Sequence, residues 1–130
     1  MTMVMVCRFC REDPGLHSFH ILSETENHVS YHTRVRDARD KKVKQIVEHI
    51  ELYLSQKALH KTWDWSMDCK DFTIEWYTFE LTMALQTLIQ KYRLTITQFR
   101  LFNVNRFMRV FLEMCKPFLN NHIKQVLIIE

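Results

Sequence analysis

The residues best suited to chemistry sit near the start of the chain. Cys7-x-x-Cys10 is followed by His17-x-x-His20. Thiolate and imidazole are the ligands zinc prefers. Residues 11–16 separate the two pairs, about half the gap of a two-cysteine, two-histidine finger. His17 and His20 also flank or join a strand-like run. The first reading is therefore an incidental cluster and no metal, with a site of Cys7, Cys10, His17 and His20 as the alternative. His28 and His32, four apart on one side of a strand, read as surface. Cys69, beside Asp68, is the best nucleophile candidate, but no histidine or other base is placed next to it, so an inert thiol is expected. Glu48/Glu51 and Glu75/Glu80 read as surface carboxylates. A single glycine cannot build either glycine-rich phosphate loop. No catalytic residue and no cofactor is assigned, and the chain is expected not to be an enzyme.

Composition bounds what those residues can belong to. With 130 residues, 47% of them hydrophobic, the chain suits one domain with a real core. One Gly and two Pro argue for long helices and few tight turns. The net charge of +3 is too small to imply a nucleic-acid partner. The most basic stretch, Arg34 to Lys44, is interrupted by Asp37 and Asp40 and reads as a solvated helix start. Transient contact with an anionic membrane surface is its sharper reading. Met1 to Val6 is too short for a signal peptide, no run reaches transmembrane length, and the four cysteines are scattered. Free thiols in a reducing cytoplasm are the expectation.

The elements that would position these residues follow from periodicity. Residues 1–16 read as an irregular lead-in ending at Pro14-Gly15, and residues 17–130 as one α/β domain. Ser18–Leu22 and His28–Val35 are strand-like, joined by a polar connector; Val29, Tyr31, Thr33 and Val35 share a face. Asp37 is placed as the N-cap of a helix to Leu59, with Val43, Ile46, Val47, Ile50 and Leu54 as its stripe. Trp63–Met67 is a strand. A helix from Trp76 to Lys91 follows, then a strand from Phe99 to Val104 and a helix from Arg106 to Cys115, which Pro117 ends. A short turn with Leu119 and Ile123 leads to an apolar strand, Val126–Ile129, expected to be covered on both faces. Strands alternating with helices imply a mainly parallel sheet with flanking helices.

Several of these residues carry a resemblance. Tyr92, Asn103 and Lys116-Pro117-Phe118-Leu119 fall in the order and spacing of the C-terminal half of the CRAL-TRIO signature, and Trp65 to Phe72, with Asp68, resembles that family's strand ending Asp-x-x-Gly-Phe. The family includes phosphatidylinositol-transfer proteins and tocopherol- and retinal-binding proteins. The resemblance covers roughly residues 18 to 129, and it implies a CRAL-TRIO-like fold here without the N-terminal helical lobe and the C-terminal gate region. It further implies a non-catalytic lipid-binding or lipid-transfer role. The expected pocket wall is Met67, Phe79, Met83, Phe102, Val104, Phe107 and Phe111. Leu94-Thr95 stands where the family has its Glu-Arg pair, which bears on inositol headgroups. The alternative is accordingly a ligand-free relative of that fold acting as a protein-interaction or self-association module.

Overall fold

The computed structural model describes residues 7–72 and 78–130. Five strands form one sheet in the order β1-β2-β3-β4-β5: β1 is His20–Glu24, β2 His28–Arg34, β3 Thr62–Asp68, β4 Ile96–Phe102 and β5 Leu127–Ile129. β1 runs antiparallel to β2; the other three pairings are parallel. The hairpin is thus part of the sheet, and the α/β class with a mostly parallel sheet holds.

Among the described residues there are five α-helices: α1 (Arg8–Glu12), α2 (Val43–Lys57), α3 (Phe79–Lys91), α4 (Arg106–Cys115) and α5 (Asn121–Val126). Three of them start on the side chain the local sequence supplies. Thr78, Asn105 and Asn120 accept from the backbone N–H of Leu81, Met108 and Ile123.

Strands β2 to β5 follow one another in chain order. With right-handed crossovers, that arrangement puts every connecting helix on the same face of the sheet. The burial pattern agrees. Val29, Tyr31 and Thr33 of β2 and Trp63, Trp65 and Met67 of β3 are buried, with Phe99 and Leu101 of β4 behind them. Their neighbours His28, Ser30, His32, Asp64 and Ser66 point to the other face and stay half-buried, bonded to one another rather than to a helix. The core is a single aromatic-rich layer. Trp65 stacks on Phe99, Phe19 meets Trp65 edge-on, and the buried Trp65 indole N–H donates to Thr33 Oγ1 at 2.9 Å.

Four expectations need correction. The lead-in is not irregular, because it contains α1. The first long helix starts at Val43, not after Asp37. Val35–Asp37 forms a 3-10 turn, and Asp40 receives the Lys42 N–H at 2.9 Å just before α2. The final strand is not covered on both faces: β5 is an edge strand and Ile129 is exposed. The first strand lies two residues later than its apolar run suggests, since Ser18 adopts φ 45° and turns the chain before His20. Trp76, the expected start of the second long helix, and Glu75 lie outside the described residues.

Candidate metal centre

The segment before β1 folds back on itself and meets α2. Cys7 occupies the N-cap position of α1, and Cys10 sits one turn later on the helix. Asp13 to Leu16 then reverses the chain: Leu16 N–H donates to Asp13 O, and Ser18 N–H to Gly15 O, both at 3.1 Å. Gly15 sits at φ 77°, a region that L side chains rarely adopt, so the chain's one glycine is placed where the reversal requires it. The reversal delivers His17 back over α1. α2 supplies His49 from its buried face, beside Ile50.

Four donor atoms converge. Cys10 Sγ lies 3.6 Å from His17 Nδ1 and 3.5 Å from His49 Nδ1, and Cys7 Sγ lies 3.8 Å from His17 Nδ1. All four ligand atoms fall within 4.8 Å of one another. A tetrahedron with Zn–S of about 2.3 Å and Zn–N of about 2.0 Å has S···N edges of roughly 3.5 Å and an S···S edge of roughly 3.8 Å. Three of the six separations, all of them S···N, therefore lie within about 0.3 Å of what one tetrahedral ion requires. Among the described residues this is the one group of three or more such side chains gathered at that distance.

The outer nitrogens decide which ring atoms face the cluster. His49 Nε2 lies 3.1 Å from the Phe19 carbonyl oxygen, which can only accept, so Nε2 carries the proton and Nδ1 presents its lone pair. His17 Nε2 lies 2.8 Å from Asp40 Oδ2, with both side chains almost wholly buried, and donates to the carboxylate. This is the outer-shell arrangement of metal-binding histidines, carboxylate on one and backbone carbonyl on the other. Burial, only partly opposed by the Phe19 carbonyl and aided by nearby His17, pushes the His49 pKa down to about 4, so the ring is neutral at neutral pH. Burial raises the Cys10 thiol.

The surroundings are dry and aromatic. The His17 and His49 rings are 4.7 Å apart, Phe9 packs edge-on to His17, and Phe19 and Tyr53 flank His49. Cys7, His17 and His49 are buried; Cys10 is half-buried. With four protein donors an ion would have no open position, as in structural rather than catalytic zinc sites.

His20 does not take part. It lies on exposed β1 opposite His32, the ring centroids 5.6 Å apart, on the face away from the helices. His49 replaces it. The signal for His49 was a histidine inside the apolar stripe of α2, three residues after Ile46 and one before Ile50. The structure thus gathers Cys7, Cys10 and His17 with His49 and leaves His20 outside the group.

The expected lipid-wall residues are not brought together. Met67 is buried beneath α3 and Phe111 lines a cavity, but Phe102 stacks on His32 across the opposite face of the sheet. Val104 and Met83 are half-buried, and Phe79 and Phe107 are exposed. On β4 the inward residues are Phe99 and Leu101; Phe102 is one residue out of register with them, which turns it to the other face, while Val104 lies beyond the strand and packs against the core. One apolar cavity of the described residues, between α3, α4, α5 and β4, is lined by Leu85, Ile89, Phe99, Leu101, Met108 and Phe111 among others. Its volume is about 50 Å³, against ~300–1,000 Å³ for pockets that enclose drug-sized ligands.

The residues that carried the family resemblance have identifiable places. Asp68, at the end of β3, accepts from Asn103 Nδ2 at 3.0 Å and from Lys70 N–H at 3.1 Å. Tyr92 is buried after α3, and its carbonyl accepts from the Trp63 indole. Lys116, Pro117 and Phe118 form a 3-10 turn after α4, and Leu119 packs against the core. Cys69 is buried, and its thiol is pushed up to about 12 by burial and by Asp68, which makes it an inert group.

Among the described residues no helix is long and apolar enough to cross a membrane. No protein-family model matches the chain, and no curated protein matches it.

Proposed function

We propose that this chain is a zinc-stapled, non-catalytic binding module. One Zn²⁺ would be held by Cys7, Cys10, His17 and His49 as an S₂N₂ centre. The observation that supports this is the convergence of the four donors, with both outer imidazole nitrogens already committed to Asp40 and the Phe19 carbonyl. An S₂N₂ donor set in a tetrahedral arrangement suits zinc. The ion would tie α1 and the entry to β1 onto α2. It would make no bond to a substrate, because the protein fills its coordination. Thiolate ligation also fits a reducing compartment, and we assign the domain to the cytoplasm on that ground.

The test is metal content. The purified chain should carry one zinc per molecule in native mass spectrometry. The metal-free form should take up Co²⁺ with the visible absorption of a tetrahedral thiolate site. Folded protein that takes up neither ion would overturn the assignment.

A second reading, an apolar lipid-like ligand, is supported by the cavity between α3, α4 and α5. Its lining is almost wholly apolar, with Thr82 and Gln86 as the polar side chains. A lipid would have to spread the three helices several-fold beyond the present volume. Organic extraction of the same sample tests it: one copurified lipid per chain would support this reading, and a lipid-free extract would remove it.

A further inference from the structure

Helix α4 carries more apolar surface than the core uses. Met108 and Cys115 are its buried side. Beside them runs a second apolar strip, Phe107, Val110 and Met114, which is 69%, 57% and 68% exposed. The strip continues into the following turn at Phe118, whose ring meets exposed Phe79 edge-on at 5.2 Å. Five large apolar side chains in one strip exceed the scatter of single exposed residues that a soluble surface shows.

The charge around this strip is one-sided. Residues 106–126 hold Arg106, Arg109, Lys116 and Lys124 against Glu113. Four positive minus one negative is +3, which equals the surplus of the whole chain, 18 − 15 = +3. The remainder sums to zero but includes the basic Arg34–Lys44 stretch, six positive minus two negative or +4, so the elements that bear the exposed strip are one of two positively charged stretches of the chain.

We propose that the Phe107–Val110–Met114–Phe118 strip docks on an anionic membrane surface, with Arg106, Arg109 and Lys116 at the headgroups. Two features favour a bilayer over a protein. The apolar side chains stand out from a convex helix and do not line a groove, a shape that sinks into the boundary between headgroups and acyl chains. The basic rim complements anionic lipid without requiring a matched partner surface. The site lies at the β4–β5 end of the sheet and stands apart from the metal assignment, so either proposal survives failure of the other.

Co-sedimentation of the purified chain with vesicles decides the matter. Vesicles of phosphatidylcholine plus phosphatidylserine should carry the protein down, and vesicles of phosphatidylcholine alone should not. R106A/R109A should weaken partitioning roughly fivefold per charge removed, and raised salt should do the same. F107E/M114E should abolish it with the far-UV circular dichroism unchanged. If that variant does not fold, the two arginine substitutions, on exposed positions, still test the idea. Absence of binding, or equal binding to neutral vesicles, overturns the proposal. So does a lipid-free dimer that the same F107E/M114E pair dissociates, which would give the strip to a second copy of the chain.

Discussion

Asp40 Oδ2 receives the Nε2 proton of His17 at 2.8 Å, and both side chains are buried behind α1. Asp40 Oδ1 receives the Lys42 N–H at 2.9 Å, at the threshold of α2. One carboxylate therefore orients the His17 imidazole and fixes the start of the helix that supplies His49. Asp40→Ala should weaken zinc binding by roughly 10–100-fold while leaving all four ligands in place. Asp40→Asn, which retains an acceptor, should lose less. Competition against a chromophoric chelator measures both, and unchanged affinity in Asp40→Ala would show that the contact does not tune the site.

The ligand set itself is separable from its neighbours. His49→Gln should abolish the Co²⁺ thiolate spectrum, and Cys10→Ser should shift and weaken it. His20→Gln should leave it intact, because His20 lies across the sheet beside His32. A spectrum lost in His20→Gln and kept in His49→Gln would reverse the assignment.

That contrast shows what a linear reading could and could not find. The Cys7-x-x-Cys10 pair and His17 are visible because they lie close in sequence. His49 is 39 positions beyond Cys10, and only packing of the first segment on α2 joins them. Alternation picked out Val29, Tyr31, Thr33 and Val35 correctly, because β2 has one buried face. The same logic failed on β4, where Phe99, Leu101 and Phe102 are all apolar and pattern alone does not choose the inward face. α4 was legible to the residue, since Asn105 caps it and Pro117 follows it. Its orientation was not, because apolar residues cover more than half of its circumference and only part of them meets the core. The start of α2 was misplaced because Asp37 resembles a cap, whereas the carboxylate used there is Asp40.

Removing the metal should release the first segment. α1 spans only five residues and has no fully buried side chain of its own, far below the length at which a helix persists alone. Chelation should therefore expose Arg8 and Arg11 to trypsin before any site in the core is cut. Zinc in thousandfold excess over its dissociation constant contributes about 4 kcal/mol. For a domain of this size that corresponds to a fall in Tm of roughly 10–20 °C on removal. Identical cleavage patterns and melting curves with and without chelator would sink the idea that the ion staples this segment.

Just past the end of β4, Asn103 adopts φ 55° and donates from Nδ2 to Asp68 Oδ1 at 3.0 Å. Burial works to raise the Asp68 pKa. It is outweighed by the bonds from Asn103 and the Lys70 N–H and by the charges of Arg36 and Arg34, so the carboxyl lies below its ordinary value. The unfolded value is about 3.9. The stabilisation is therefore fully present above that pH and is lost as pH falls through the lower, folded pKa. Asn103→Gly keeps the positive φ at no steric cost and removes the bond, and should cost ~1–2 kcal/mol at pH 7. Asn103→Ala should cost about 1 kcal/mol more, because alanine resists the left-handed region. Urea unfolding of the three proteins measures these differences. The gap between wild type and Asn103→Gly should narrow as pH falls through the lowered folded pKa of Asp68 and close once the carboxyl is protonated in both. A gap that persists unchanged in acid would mean that Asn103 acts through its backbone conformation and not through the carboxylate.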